Sequence, residues 1–248
     1  MNMLLFILIA GFLSGFIDSV VGGGGLISLP ALMLTGMPLP LALGTNKFAS
    51  SFSSLTSTLN YIKNKQIDLP LAKKLFFLSF VGSLIGAYTV TQISPDALRP
   101  VVAVLLILIT IYTLVKKDWG DQKRPLRRNY LFITMPFIVA IGFYDGFLGP
   151  GTGSFFAFLF LYIGFDFVKA AGNSRIMNFA SNIAALMLFA FSGHVNYYYG
   201  IVMALAMIIG SYLGSTLAIR NGQKYIKPLF ILVSCTMIIK ISIDWILK

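Results

Sequence analysis

The chain has 248 residues, of which 57% are hydrophobic and 11% are charged, whereas soluble domains carry roughly 25% charged residues. This composition excludes an ordinary soluble domain. The formal net charge of +11 does not indicate nucleic-acid binding, because the basic residues lie in short loops between apolar runs rather than in a patch interleaved with aromatic residues. We therefore predict a protein whose main partner is the lipid bilayer, with no nucleic-acid partner.

Glycines, prolines and charges divide the chain into ten apolar segments, which we expect to be helices. In the first half these segments cover residues 3–21, 25–37, 43–62, 71–93 and 97–115. In the second half they cover residues 130–148, 152–168, 173–192, 197–219 and 227–246. A bilayer span needs about 20 predominantly apolar residues, so the longer segments predict several crossings. The predicted fold class is an all-α polytopic membrane protein.

The second half of the chain repeats the first. Gly15-Phe16-Ile17-Asp18 returns as Gly142-Phe143-Tyr144-Asp145, and Gly44-Thr45-Asn46-Lys47 is answered by Gly172-Asn173-Ser174-Arg175. An odd number of segments in each half would place the second half upside down in the membrane. Inverted repeats recur in transporters, whose substrate sites lie near the midplane between the halves. The predicted units are a first membrane repeat at 3–116, a basic cytoplasmic linker at 117–129 and a second, inverted membrane repeat at 130–246.

The basic residues are distributed as this topology requires. Cytoplasmic loops carry an excess of lysine and arginine, and a cytoplasmic linker also places the loop at 63–74, with its four lysines, on the cytoplasmic side. The equivalent loop of the second half, at 192–198, carries only His194. Both termini are then predicted on the external face.

A glycine cluster follows the first segment of each half, and no helix can run unbroken through such a cluster. Each half therefore begins with a broken hairpin, whose arms either both span the membrane or both re-enter to half depth. The helix after each cluster points free N–H groups toward the turn, which favours an anion. The alternative is that the glycines serve close helix packing. The candidate anion-binding residues here are Gly22, Gly23, Gly24 and Gly25 in the first half, with Gly149, Gly151, Thr152 and Gly153 in the second.

Four charged residues in the apolar segments are further candidates. Asp18 and Asp145 precede the two turns at equivalent positions, and an ionisable residue inside a membrane is a functional candidate by default. We expect them to couple transport, with protons as the coupling ion; the alternative is that they cap backbone N–H groups of the turns. Lys47 and Arg175 are expected at helix starts, where an interfacial, snorkelling position is the alternative. Thr45, Asn46, Asn173 and Ser174 would join them in binding an oxyanion, and a polar stripe continues through Ser50, Ser51, Ser53, Ser54, Ser57, Asn178, Ser181 and Asn182.

The sequence predicts no catalytic, metal or cofactor site. Cys235 is the only cysteine, which leaves neither a disulfide framework nor a multi-cysteine metal site. An enzyme would need a nucleophile and a base, and Ser14 or Ser19 with His194 is the only candidate pair. The rivals to a carrier are a channel-like anion pore lined by the same glycines, and a membrane-embedded enzyme or assembly factor.

The motifs at 15–25 and 44–47, with their copies at 142–153 and 172–175, resemble those of the TauE/SafE family of sulfite and organosulfonate exporters, also called TSUP permeases. The resemblance covers nearly the full chain. It implies a secondary carrier in the bacterial inner membrane that exports a small anion such as sulfite, sulfoacetate or sulfolactate. Because Pro150 and Thr152 replace glycines of the first cluster, equal roles for the two halves are not expected. The lone Cys235 argues against the cysteine-dependent thiosulfate transporters.

Overall fold

The computed structural model describes residues 3–94 and 130–222, which form helices without any β-strand in these ranges. The helices are α1 (Met3–Val21), α2 (Gly25–Met33), α3 (Leu39–Lys63), α4 (Leu69–Thr91), α5 (Tyr130–Phe147), α6 (Thr152–Ile163), α7 (Phe167–Phe191) and α8 (Tyr197–Asn221). The prediction of an all-helical fold is confirmed. The predicted segments at 97–115 and 227–246, the linker at 117–129 and Cys235 lie outside the described residues.

Four of these helices, α1, α4, α7 and α8, are long and apolar enough to cross a bilayer. A helix of 25 residues, such as α7 or α8, extends about 37 Å, which exceeds the hydrocarbon core of about 30 Å. Helix α3 is equally long but rich in serine, threonine and asparagine, and most of these side chains are buried against α2, α7 and α8. The protein is therefore a multi-pass membrane protein with a polar helix at its centre.

Helix starts are set by polar caps and prolines. Asp68, Asp166 and Asn196 accept hydrogen bonds from the N–H groups three residues later, at 3.1, 3.0 and 3.2 Å, and so begin α4, α7 and α8. Such caps satisfy N–H groups that the first turn leaves free. Pro38 stands in the same position before α3.

Helices α3 and α7 begin earlier than predicted. They start at Leu39 and Phe167, after Pro38 and Asp166, whereas the predicted starts were 43 and 173. Lys47 and Arg175 therefore lie in the third turn of their helices, and the prediction that they stand at helix starts is wrong. The backbone N–H groups of the neighbouring candidates Thr45, Asn46, Asn173 and Ser174 belong to these helices as well, so they are not free helix-start donors.

The two halves exchange helices. The first helix of each half packs against the fourth helix of the other half, α1 on α8 and α5 on α4. Glycines make these contacts close: a methyl group at Gly15 would collide with the backbone of Met207, and one at Gly86 would collide with the carbonyl of Phe143. The central helices α3 and α7 pack against each other and against the fourth helices. Neither half is thus a separate bundle.

The surface of this bundle is apolar, whereas its interior contains many hydroxyl groups. Phe132 and Phe191 are 82% and 88% exposed, as expected for side chains that meet lipid. Inside, the hydroxyl of Ser83 donates to the carbonyl of Ser181 at 2.6 Å, and that of Ser211 donates to the carbonyl of Ser53 at 2.6 Å. Polar side chains that bond across helices are a recurrent means of association in membranes, where lipid gives little hydrophobic driving force.

Gly86→Ala tests the close approach of α4 to α5. The new methyl group would meet only backbone atoms of α5, so the helices must separate, and we expect the free energy of unfolding to fall by about 1–3 kcal/mol. Gly200→Ala is the matched control, because the nearest atom there belongs to the movable ring of Phe48, at 3.1 Å. Thermal unfolding in detergent measures both variants, and equal effects would contradict the assigned contact.

Candidate functional site

Both hairpins are broken at their glycine clusters, as predicted. Helix α1 ends at Val21 and α2 begins at Gly25, while α5 ends at Phe147 and α6 begins at Thr152. Gly22 and Gly149 occupy equivalent positions and have φ of 85° and 98°, a left-handed conformation that glycine adopts without strain. The second arms, α2 and α6, have 9 and 12 residues and are too short to cross alone. The arms are therefore unequal in length, and whether the hairpins span or re-enter stays a prediction.

The two glycine turns touch each other. Ser154, at the start of α6, donates from its backbone N–H and from its hydroxyl to the carbonyl of Gly22, at 3.1 and 3.0 Å. Gly22 is packed so closely that a methyl group there would collide with the backbone of Gly153. One N–H group at the start of α6 is consequently engaged by the other half rather than free to bind a ligand.

Two buried ion pairs lie beside these turns. Lys47 Nζ is 2.8 Å from Asp145 Oδ1, and Arg175 Nη1 is 2.9 Å from Asp18 Oδ2. Each pair joins one half to the other, and the two pairs correspond under the repeat, since Asp18 matches Asp145 and Lys47 matches Arg175. Lys47 and Arg175 are 1% and 0% exposed, so the alternative of snorkelling cations at the interface is wrong. We call these four residues the ion-pair site.

Arg175 is held by several acceptors. Its Nη1 also donates to the carbonyl of Asp18, at 2.5 Å, and its Nε and Nη2 donate to the hydroxyl of Ser174 at 3.2 and 3.1 Å. A methyl group on Gly153 would collide with Nη2, so the guanidinium lies directly against the bare backbone of the second turn. Asp18 accepts in addition from the N–H of Gly24 at 3.3 Å, which means that it both pairs with a cation and caps its own turn.

Lys47 lies in a polar chain of its own. Besides Asp145 it contacts Asn182, whose Oδ1 accepts from Nζ at 3.1 Å, and Asn182 donates to the amide oxygen of Asn178. The second oxygen of Asp145 accepts from the hydroxyl of Ser181 at 2.5 Å. A methyl group at Gly149 would lie 2.7 Å from Nζ. Each cation therefore reaches the backbone of the second glycine turn, at a position where a side chain would block it.

Thr45 and Asn173 have a matched role away from the ion pairs. Thr45 Oγ1 accepts from the N–H of Asn196, at 2.9 Å, and Asn173 Oδ1 accepts from the N–H of Asp68, at 3.2 Å. Asn196 and Asp68 are the cap residues of α8 and α4. Both side chains thus join a central helix to the start of a fourth helix, and their polar atoms are occupied there.

The remaining predicted residues are divided between the turns and the helix interiors. Thr152 donates from its hydroxyl to the carbonyl of Gly149 at 2.5 Å, and a methyl group at Gly25 would meet Pro150 at 3.0 Å. Asn46 is buried, and its amide oxygen has no hydrogen-bond partner among the described residues. It is the one predicted ligand whose buried acceptor is unused in residues 3–94 and 130–222.

Sequence reasoning identified all four members of the ion-pair site but missed their pairing. It placed Asn178, Ser181 and Asn182 in a polar stripe without linking them to Lys47. It also missed Tyr61, which is fully buried and donates from its hydroxyl to the carbonyl of Ser19 at 3.1 Å. The signal available in the sequence was the repeat itself, because two matched acids and two matched bases suffice for two reciprocal pairs.

The structure does not join the serines and the histidine that an enzyme would use. Ser14 donates to the carbonyl of Gly24 at 2.8 Å, and Ser19 to that of Phe16 at 2.9 Å. His194 Nδ1 has no hydrogen-bond partner among the described residues. No nucleophile–base hydrogen bond connects these three side chains within the described part of the chain.

A double-mutant cycle on Lys47 and Asp145 tests the cross-half pair. Lys47→Met leaves a buried carboxylate without its cation, so we expect the free energy of unfolding to fall by about 3–5 kcal/mol. Adding Asp145→Asn removes the stranded charge and should restore most of that loss, because the two residues interact directly. Thermal unfolding in detergent is the measurement, with the exposed Lys169→Met on α7 as control. Additive effects of the two changes would contradict the pairing.

Comparison with known proteins agrees with this architecture. The family model for the sulfite exporter TauE/SafE matches residues 7–241. The probable membrane transporter protein ORF9 of Sinorhizobium sp is 37% identical, covering 98% of this chain and 94% of that protein. The probable membrane transporter protein YfcA of Escherichia coli K12 is 39% identical over 94% of this chain and 87% of its own length, and a probable membrane transporter protein of Haemophilus influenzae is 34% identical over 98% and 96%. No solved structure matches significantly. The family model and these relatives match nearly the whole length of this multi-pass helical bundle. The chain therefore belongs to the TauE/SafE family.

Proposed function

We propose that this protein is a secondary transporter that exports a small anion, such as sulfite or an organosulfonate, across the bacterial inner membrane. The substrate would bind between two inverted halves, at the ion-pair site and the glycine turns beside it. The observation that carries the proposal is the pair of reciprocal ion pairs, Lys47 with Asp145 and Arg175 with Asp18, buried within an apolar helical bundle.

Stability alone does not account for these charges. Burying a charge in a membrane protein is expensive, and such residues usually mark a substrate or ion pathway. Replacing a buried ion pair by apolar residues of similar volume is often neutral or stabilising. The site also lies where the two halves meet, because each pair takes one residue from either half. This is the position of the substrate site in transporters built from repeats.

The chemistry of the site favours an oxyanion. Arginine presents its N–H groups in a planar fork that matches carboxylate, phosphate and related oxyanions. The Arg175 guanidinium rests against Gly153, at the N-terminal end of α6, where the helix dipole also favours negative charge. Asn46 offers a further buried amide in the neighbouring helix α3. The family description as sulfite exporters supports the same class of substrate, and the relatives' description as probable membrane transporters supports transport.

The inverted arrangement and the external termini belong to this proposal. They are supported by the odd number of predicted segments and by the lysine-rich loop at 63–74. The packing of α1 on α8 and of α5 on α4 is also the same contact made twice, once in each direction between the halves. Carrier transport would then proceed by movement of one set of helices against the other around the ion-pair site.

Flux in proteoliposomes tests the proposal, with sulfite and sulfoacetate as substrates. We expect Arg175→Lys to lower flux roughly tenfold or more, because it keeps the charge but loses the fork, and a charged hydrogen bond contributes about 1.5–3 kcal/mol. Lys47→Ala should lower flux as well. Lys169→Ala is the control for Arg175, since it removes an exposed cation from the same helix.

Counter-flow separates a carrier from a channel-like pore in the same vesicles. A carrier accumulates labelled substrate transiently against its gradient when unlabelled substrate is inside, and a pore does not. Normal flux in Arg175→Lys and Lys47→Ala would move the substrate site away from the ion pairs. No flux of any sulfur oxyanion or carboxylate would overturn the proposed substrate class.

A further inference from the structure

The ion-pair site contains no spare positive charge for a substrate. Its two cations are each within 2.9 Å of a carboxylate, so the four residues sum to zero when all are ionised. A bound anion would leave a net negative charge in a buried, low-dielectric place, where unpaired charge is strongly unfavourable. Uptake of a proton by one of the two carboxylates would keep these four residues and a bound monovalent anion neutral together.

The two carboxylates are held unequally. Asp145 has a strong donor at each oxygen, Lys47 at 2.8 Å and the Ser181 hydroxyl at 2.5 Å, and its side chain is 3% exposed. Asp18 receives Arg175 at one oxygen, but only the long 3.3 Å bond from Gly24 N at the other, and its side chain is 12% exposed. The residue equivalent to Ser181 in the first half is Ser53, whose hydroxyl has no partner among the described residues. Asp18 is thus the less fully paired of the two carboxylates.

Arg175 would stay in place after Asp18 took up a proton. Its contacts with the Asp18 carbonyl and with the Ser174 hydroxyl do not involve the carboxylate. The guanidinium would keep its position against the bare backbone of Gly153, but its charge would no longer be compensated. The Lys47–Asp145 pair differs, because each member has a further side-chain partner. Asn182 accepts from Lys47, and Ser181 donates to Asp145.

Within residues 3–94 and 130–222, few other groups can influence Asp18. Arg175 approaches from α7, Asp145 from α5, and Lys47 and Tyr61 from α3. Tyr61 is engaged with the carbonyl of Ser19. Helix α2 carries no titratable residue, Tyr162 of α6 is exposed, and Arg220, the charged residue of α8, is exposed near the end of that helix.

We propose that Asp18 is the proton-binding residue of this carrier, so that each monovalent oxyanion binds Arg175 together with one proton. The Asp18–Arg175 pair is then the coupling pair, and Lys47–Asp145 holds the halves together. This inference rests on the proposed transport function. Anion and proton bind with mutual linkage, and transport of a monovalent anion is electroneutral.

Isethionate is the probe, because it is a monovalent organosulfonate whose own ionisation does not change near neutral pH. In proteoliposomes with a pH dye inside, we expect isethionate entry to acidify the lumen by one proton per anion, independently of membrane potential. Above the titration of Asp18, the apparent dissociation constant should rise about tenfold per pH unit. Asp18→Asn should abolish both the acidification and the pH slope, and should make isethionate movement depend on membrane potential.

Asp166→Asn is the control, since it removes a carboxylate outside the ion-pair site while asparagine keeps the cap of α7, and it should keep the pH slope. Retention of the slope in Asp18→Asn would overturn the assignment. The wild-type measurement decides the matter even where a variant does not fold. Net isethionate entry without acidification of the lumen would overturn the coupling and leave the transport function standing. If neither isethionate nor any other sulfur oxyanion is exchanged, the proposed function itself fails.

Discussion

A charge buried in a lipid-embedded bundle needs a partner within the protein, since lipid cannot solvate it. In this protein that constraint is met across the repeat: the cation of each half is neutralised by the carboxylate of the other. Neither half can satisfy its charges alone. The exchange of first and fourth helices has the same consequence for packing. Separation of the halves would therefore leave buried charges without partners, and it would also expose the helix faces that contain the closely packed glycines.

The glycines at the centre have distinct physical roles. Gly22 and Gly149 turn the chain through a left-handed conformation, whereas Gly153 leaves room for the guanidinium of Arg175. Close packing and a ligand site were alternatives at the level of sequence, and close packing is what the structure shows at these turns. The backbone approaches the cations closely because side chains are missing, and in the proposed function the same bare backbone would lie beside the substrate.

The sequence was sufficient for the helical class, for both hairpin breaks and for the identity of the four buried charged residues. It was insufficient for what depends on contacts between distant segments. The partner of Lys47 is Asp145, a residue nearly one hundred positions away in the sequence, and no local pattern contains such a contact. The starts of α3 and α7 were missed because Pro38 and Asp166 begin the helices earlier than the apolar pattern indicates. Thr45 was predicted to bind the anion because its hydroxyl is a suitable ligand. That hydroxyl accepts instead from the N–H of Asn196, which becomes its neighbour only after folding.

The most direct test of this account is to locate a bound anion. A crystal structure of the protein with 2-bromoethanesulfonate would reveal the ligand through the anomalous signal of bromine. The account predicts a single strong peak beside the two glycine turns, with the sulfonate contacting the guanidinium of Arg175. A bromine peak elsewhere, with Arg175 and Asp18 still paired and no ligand beside them at saturating concentration, would contradict it.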